Sequence, residues 1–157
     1  MTDRTPPAAE PEGRRTHATQ RTIDAAPETV FEAFRDPAHL ARWWGPDGFS
    51  STFEEFDLRE GGRWRFTMHG PDGTDYWNES VFVEVVPKQR VVIEHFSGHH
   101  FVLTITFSAA GDGTVVGWRQ VFDTVEHYEA IAGLVSKANE QNLDRLAAEV
   151  RQIAERA

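Results

Sequence analysis

A chain of 157 residues that is 39% hydrophobic and 26% charged has the make-up of one ordinary globular domain, large enough to build a core without staples. Its formal net charge of −9 argues against nucleic acid or an anionic membrane surface as the main partner, and the absence of cysteine excludes disulfides, thiolate metal sites and cysteine nucleophiles. No apolar run approaches a membrane span and the N-terminus lacks the hydrophobic core of a signal peptide, which points to the cytoplasm.

Residues 1–15 are rich in Pro, Glu and Arg without apolar periodicity and read as a disordered tail, leaving residues 16–157 as a single domain. Residues 17–24 alternate as a first strand. Pro27 then stands where a helix tolerates it best, at the first helical position, and residues 28–34 turn Val30, Phe31 and Phe34 inward. Asp36-Pro37 opens a second short helix that ends in Trp43-Trp44-Gly45-Pro46. From Phe49 onward the period changes to two. Residues 53–58 form one strand and Gly61-Gly62 a tight turn. On the next strand Trp64, Phe66 and Met68 share a face. Pro71-Asp72-Gly73 is a hairpin tip, and a long strand over residues 76–86 stops at Pro87. A strand over residues 90–96 follows. Phe101, Leu103, Ile105 and Phe107 alternate cleanly on the next, and Val116, Trp118, Gln120 and Phe122 are in phase on the last.

Residues 123–156 read as one long amphipathic helix, with a break at Gly133 left open. Tyr128, Ile131, Leu134, Val135, Ala138, Leu143, Leu146, Val150 and Ile153 recur at helical spacing. Asp123 and Glu126 have the spacing of a capping box, and Arg145 and Glu149 fall on a charged, solvated face. Short connections make sequential strands antiparallel neighbours. The expected fold is therefore α+β: a curved antiparallel sheet of about seven strands wrapped around the long C-terminal helix, with two short helices after the first strand. This is a helix-grip arrangement, in which large aromatics on a curved face leave a cavity beneath the helix.

Several motifs carry a resemblance. RTIDAAPETVFEAF over residues 21–34, Trp43-Trp44-Gly45-Pro46, DLREGGRW over residues 57–64 and Gly70-Pro71-Asp72-Gly73 resemble the START-like, SRPBCC superfamily, and within it the homologues of the activator of heat-shock ATPase. HFSGHHF over residues 95–101 and ANEQNLDRLA over residues 138–147 resemble a bacterial branch of that family. The resemblance covers about residues 16–155 and implies a ligand cavity between sheet and long helix. The eukaryotic co-chaperone's separate N-terminal domain has no counterpart in this sequence, so the resemblance implies a chaperone contact only weakly.

The candidate ligand-binding residues are Trp44, Trp64, Phe66, Trp77, His95, Phe101, Trp118, Gln120, Asn139 and Asn142. Each aromatic taken alone is equally a core residue; together they describe an apolar pocket with a few polar groups, suited to a small hydrophobic or aromatic molecule. Trp43 and Trp44 are expected to split, one into the core and one toward the cavity mouth. Asn139 and Asn142 interrupt the apolar stripe of the long helix, either as hydrogen-bonded core amides or as cavity-facing groups. His95 is in phase with Val91 and Ile93 and reads either as a hydrogen-bonded core residue or as a general base. Glu79 is its candidate carboxylate partner, although the phase of that strand is ambiguous. The pair would suit cyclase, dehydratase or hydrolase chemistry on the same ligand. His95, His99 and His100 disagree in strand phase and lack a carboxylate with ligand spacing, so no metal and no cofactor is expected. A homodimer remains open.

Overall fold

Seven strands form in chain order and pair as one antiparallel sheet, because each alternates an apolar face with a polar one and each is joined to the next by a short turn or by the helical insertion. The computed structural model describes residues 11–156. The strands are β1 (Thr16–Ile23), β2 (Ser50–Phe56), β3 (Arg63–His69), β4 (Asp75–Val86), β5 (Arg90–His95), β6 (Phe101–Ala110) and β7 (Gly113–Phe122). Their order across the sheet is β1-β7-β6-β5-β4-β3-β2, so the chain ends its strand run beside the strand with which it began. Two short helices, α1 (Pro27–Arg35) and α2 (Pro37–Trp43), fill the connection from β1 to β2, and α3 (Val125–Arg156) crosses the concave face. Register shifts at Phe53/Glu55 and Phe82/Glu84 are bulges that bend the sheet around that helix.

The local chemistry explains each boundary. Pro27 sits in the first turn of α1, and the Asp36 carboxylate caps α2 by accepting from the Ala38 N–H at 2.9 Å. The long helix runs unbroken through Gly133 for 32 residues, or about 48 Å. Its cap is Thr124, whose hydroxyl accepts from the His127 N–H at 3.1 Å. The expected cap, Asp123, is instead engaged by the His100 ring at 2.6 Å. The N-terminal tail also needs correction at its inner end. Glu12–Arg15 forms a 3-10 turn, the Arg15 guanidinium donates to Phe122 O at 2.6 Å, and Arg119 pairs with Glu12 at 2.7 Å. The expectation of a disordered tail over residues 1–10 lies outside the described residues.

The core is concentrated at one end. Leu143, Leu146 and Val150 of α3 are buried together with Val30, Phe31 and Phe34 of α1 and Leu40 and Trp43 of α2. Phe107 receives Phe31 and Phe34 edge-on, with ring centroids 5.7 and 5.1 Å away. The first half of α3 packs differently. Ile131 and Val135 are only half-buried, and Leu134 is 70% exposed.

A polar stripe on α3 fastens the connection between α2 and β2. The Arg145 guanidinium donates to Gly45 O and Pro46 O at 2.8 Å each, to Arg42 O at 2.8 Å and to Phe49 O at 3.0 Å. Asn142 donates to Trp43 O at 2.9 Å and accepts from the Gly45 N–H at 3.3 Å. Glu149, only 5% exposed, accepts from His39 at 2.6 Å and lies 3.5 Å from Arg42. Arg145 and Glu149 are thus not part of a solvated face. Gly45 adopts φ of +102°, a left-handed conformation that turns its carbonyl toward Arg145, and a Cβ there would meet Met68 at 2.6 Å.

Removing this clasp leaves several backbone carbonyls without their donor. Arg145→Ala is expected to destabilise the fold by about 2–3 kcal/mol. Arg145→Lys should recover little of that, because an ammonium cannot span the fan of carbonyls that a guanidinium reaches. Urea denaturation of the two variants checks both statements.

Candidate ligand-binding pocket

Cross-strand register builds the concave wall in rows. Trp64, Ser80, His95, Phe101 and Phe122 lie opposite one another across β3, β4, β5, β6 and β7. The next row is Phe82, Ile93, Leu103, Gln120 and His17. Beyond it, Ile105 lies opposite Trp118. Between these rows and the first half of α3 is a cavity of about 550 Å³, a size that takes a small organic molecule.

Trp44, Phe66, His95, Phe101, Trp118, Gln120, Asn139 and Asn142 all line that cavity. The two adjacent tryptophans split: Trp43 is in the core, donating its indole N–H to Ala33 O at 2.9 Å, and Trp44 forms pocket wall. Trp64 does not reach the cavity. It is sealed beneath it, with Trp44, Phe66 and Phe82 ring centroids at 4.8, 4.5 and 5.8 Å. Trp77 also departs from expectation. Asn78 and Ser80 lie opposite the concave Phe66 and Trp64, so Trp77 belongs to the convex side; it is 43% exposed, lies beneath the Arg65 guanidinium 5.3 Å from its ring centre, and still contributes to the cavity lining. The cause is the bulge at Phe82/Glu84, which puts the two halves of β4 on opposite phases. The same bulge settles Glu79. It shares the convex side with Arg65, so the Glu79–His95 couple is not built.

Sequence reasoning missed Phe49, Met68, Ile93, Leu103 and Ser80 of the sheet side and Leu134 and Ala138 of α3, all of which line the cavity. Leu103 and Ile93 were visible as alternating apolar positions, but a strand pattern does not say which inward residues meet a neighbour and which meet a void. Ser80 carried a signal in being in phase with Phe82.

The polar groups form two clusters. At the β4–β5 end, the His95 Nδ1–H donates to His99 O at 2.7 Å. Its Nε2 lies 2.8 Å from the Asn78 side-chain amide and 3.3 Å from the Ser97 hydroxyl. The ring stacks on Phe101 with centroids 4.5 Å apart. Burial lowers the His95 pKa below the ordinary 6.5; the bond to His99 O opposes this, and the neighbouring His99 and His100 add to it. At the β7 end, the Asn139 amide nitrogen donates to Gln120 Oε1 and to His17 Nδ1, both at 2.9 Å. Burial lowers the His17 pKa, with partial opposition from the Glu140 charge. His100 is the opposite case. Its ring nitrogens meet Glu94 at 2.8 Å and Asp123 at 2.6 Å, and those two hydrogen bonds, Glu94 first, raise its pKa. Among the described residues no group of three or more His, Cys, Asp or Glu side chains is arranged to hold a metal ion, and no helix is long and apolar enough to cross a membrane.

A curved antiparallel sheet closed over a long C-terminal helix, with two short helices after the first strand, defines the SRPBCC helix-grip class, a fold commonly built around a ligand cavity. Within that class the family model described as "Activator of Hsp90 ATPase homolog 1-like protein" matches residues 24–151, and the chain belongs to that family. Solved structures agree on the fold. A protein from Chromobacterium violaceum is 28% identical with a TM-score of 0.76, over 85% of this chain and 95% of that one. A protein from Nitrosomonas europaea is 18% identical with a TM-score of 0.81, over 88% and 96%. An AHSA1-like protein from Aeromonas hydrophila is 22% identical with a TM-score of 0.70, over 88% and 94%. No curated protein matches the chain.

Both ends of the Asn142 amide are held by backbone, which selects the hydrogen-bonded alternative of the two the sequence left open, so Asn142→Leu is expected to cost about 2–3 kcal/mol; chemical denaturation measures it. The histidines give a second test. NMR titration should place His95 and His17 below 6.5 and His100 above it. A folded-state value above the unfolded one means that His100 contributes stability below the unfolded pKa and loses it as pH rises through the folded pKa. His100→Gln should therefore destabilise more at about pH 6 than at about pH 9. For His95 the sign reverses: stability is lost as pH falls below 6.5 toward its lowered value.

Proposed function

We propose that this protein binds a small, mostly hydrophobic or aromatic molecule in the cavity between the sheet and the first half of α3. The observation that carries the reading is the cavity of about 550 Å³, walled by Trp44, Phe66, Phe101, Leu103 and Trp118 while α3 stands off above it. A core of this composition would collapse on the void if nothing held the helix away, since apolar surfaces gain by meeting. The clasp at Asn142 and Arg145 and the bridge from Asn139 to Gln120 and His17 fix that distance. The membership of a family whose fold is commonly ligand-binding supports the same reading.

Binding is preferred to catalysis because His95, the one histidine deep in the pocket, has both ring nitrogens against protein groups and no carboxylate partner. A cytoplasmic location, expected from the sequence, fits a binding protein without disulfides. A chaperone contact is supported here by the family description alone.

The neutral, environment-sensitive dye N-phenyl-1-naphthylamine is expected to bind with micromolar affinity and to quench tryptophan emission, because Trp44 and Trp118 line the site. Ala138→Trp, which places an indole in the cavity from α3, should abolish dye binding while leaving the melting temperature near that of the wild type. Dye binding unchanged by this substitution would mean that the dye sits elsewhere.

A further inference from the structure

The polar inventory of the pocket says what kind of small molecule it takes; the inference rests on the cavity reading above. No Lys, Arg, Asp or Glu lines the cavity among the described residues. Most of the amide and hydroxyl side chains there are engaged within the protein. Asn142 is consumed by the backbone at Trp43 and Gly45. Asn78 donates its amide N–H to Tyr76 O, and its oxygen faces His95. Ser97 accepts from the Glu79 N–H and faces His95 Nε2. Asn139 gives its two N–H groups to Gln120 and His17.

Among the described residues two polar side chains are left over, and the Trp118 indole N–H, fully buried within the wall, is a third donor without a partner. Gln120 is 8% exposed and spends its Oε1 on Asn139, while its Nε2 has no protein partner among the described residues. Ser80 is 2% exposed, lines the cavity, and its hydroxyl likewise has no protein partner among the described residues. A buried amide N–H₂ without an acceptor is costly. An amide nitrogen donates and never accepts, and a hydroxyl can do either.

We infer that the pocket is built for a neutral ligand with an aromatic or alicyclic body and a carbonyl-type acceptor oxygen, received by Gln120 Nε2 or the Ser80 hydroxyl. Gln120 lies on β7 and Ser80 three strands away on β4, with Ile93 and Leu103 between them. A flat apolar body therefore rests on Ile93 and Leu103 and directs its oxygen toward one donor; a ligand oxygenated at both ends would use both. A carboxylate or sulfonate finds no cation in the wall and would enter as an unpaired charge. His95 does not supply one either, because burial disfavours its charge and both of its ring nitrogens are turned to protein groups.

The test is a matched series displacing N-phenyl-1-naphthylamine: 2-acetylnaphthalene, 2-ethylnaphthalene and 2-naphthoate. The ketone is expected to bind about 10-fold tighter than the hydrocarbon, the net worth of one buried hydrogen bond. The carboxylate is expected to bind at least 100-fold more weakly than the ketone, as an uncompensated buried charge requires. In the double variant Gln120→Met, Ser80→Ala, which removes the two donors of these side chains without adding a charge, the ketone should fall to the level of the hydrocarbon while the hydrocarbon is unchanged. If that variant is unstable, Gln120→Leu with Ser80→Ala makes the same comparison, and the ketone-to-hydrocarbon ratio within each folded protein is the readout. Equal affinity of ketone and hydrocarbon in the wild type, a ratio that survives loss of both donors, or tight binding of naphthoate would each overturn the inference and leave the cavity reading standing. If none of the three displaces the dye, or the dye itself does not bind, it is the cavity reading that fails.

Discussion

The rest of the structure depends on how one arginine satisfies a strip of backbone. The chain from α2 to β2 has to cross the end of α3, and there it presents the carbonyls of Arg42, Gly45, Pro46 and Phe49 to the helix with no strand or helix to absorb them. Backbone polar groups withdrawn from water need partners. Arg145 supplies them with one planar, multiply donating head, Asn142 adds a donor and an acceptor one turn earlier, and Glu149 anchors His39 and Arg42 one turn later. The three positions share one face of α3 at helical spacing. Through them the position of Trp44, and therefore one wall of the pocket, is tied to the long helix rather than to the sheet.

That attachment accounts for the asymmetry of the molecule. Beyond Asn142, α3 sinks Leu143, Leu146 and Val150 into the aromatic core formed with α1, α2 and β6. Before it, the helix is carried over the concave face on polar contacts: Asn139 to Gln120 and His17, and Glu140 to Thr19 and Arg21 at 2.6 and 3.0 Å. Hydrogen bonds fix a distance in a way that apolar contact does not. The same amides that break the hydrophobic stripe therefore keep the void beneath it from closing.

The pocket's histidine illustrates why family membership and fold do not by themselves assign chemistry. His95 sits deep in an aromatic cavity with a lowered pKa, the profile of a general base. Its bonds are those of a structural residue. One nitrogen holds the loop at His99, the other meets Asn78 and Ser97, and Glu79, the candidate carboxylate partner, lies on the other side of the sheet. Its neighbour His100, clamped between Glu94 and Asp123, performs the same fastening from the opposite face with the opposite pKa shift.

Period, turn chemistry and family motifs in the sequence were enough for the seven strands, the two proline-opened helices, the long terminal helix and the helix-grip class, because local patterning dictates element type and short connections dictate neighbours. They also identified Trp44, Phe66, His95, Phe101, Trp118, Gln120, Asn139 and Asn142 as inward positions that line the cavity. What the tertiary structure alone decided is which inward residues touch a void and which touch each other. Trp64 is in phase with Phe66 yet sealed under Trp44, and Trp77 lies on the convex side because a bulge reverses the phase of β4, a one-residue event that no alternation pattern locates. The assignment of partners was equally hidden. Asn142, Arg145 and Glu149 look from sequence like an inward amide of undecided role and two surface charges, and become a buried clasp only when residues about a hundred positions earlier in the chain are folded against them. Sequence sets the faces of each element; the meeting of faces is a long-range property, and the pocket is made of meetings.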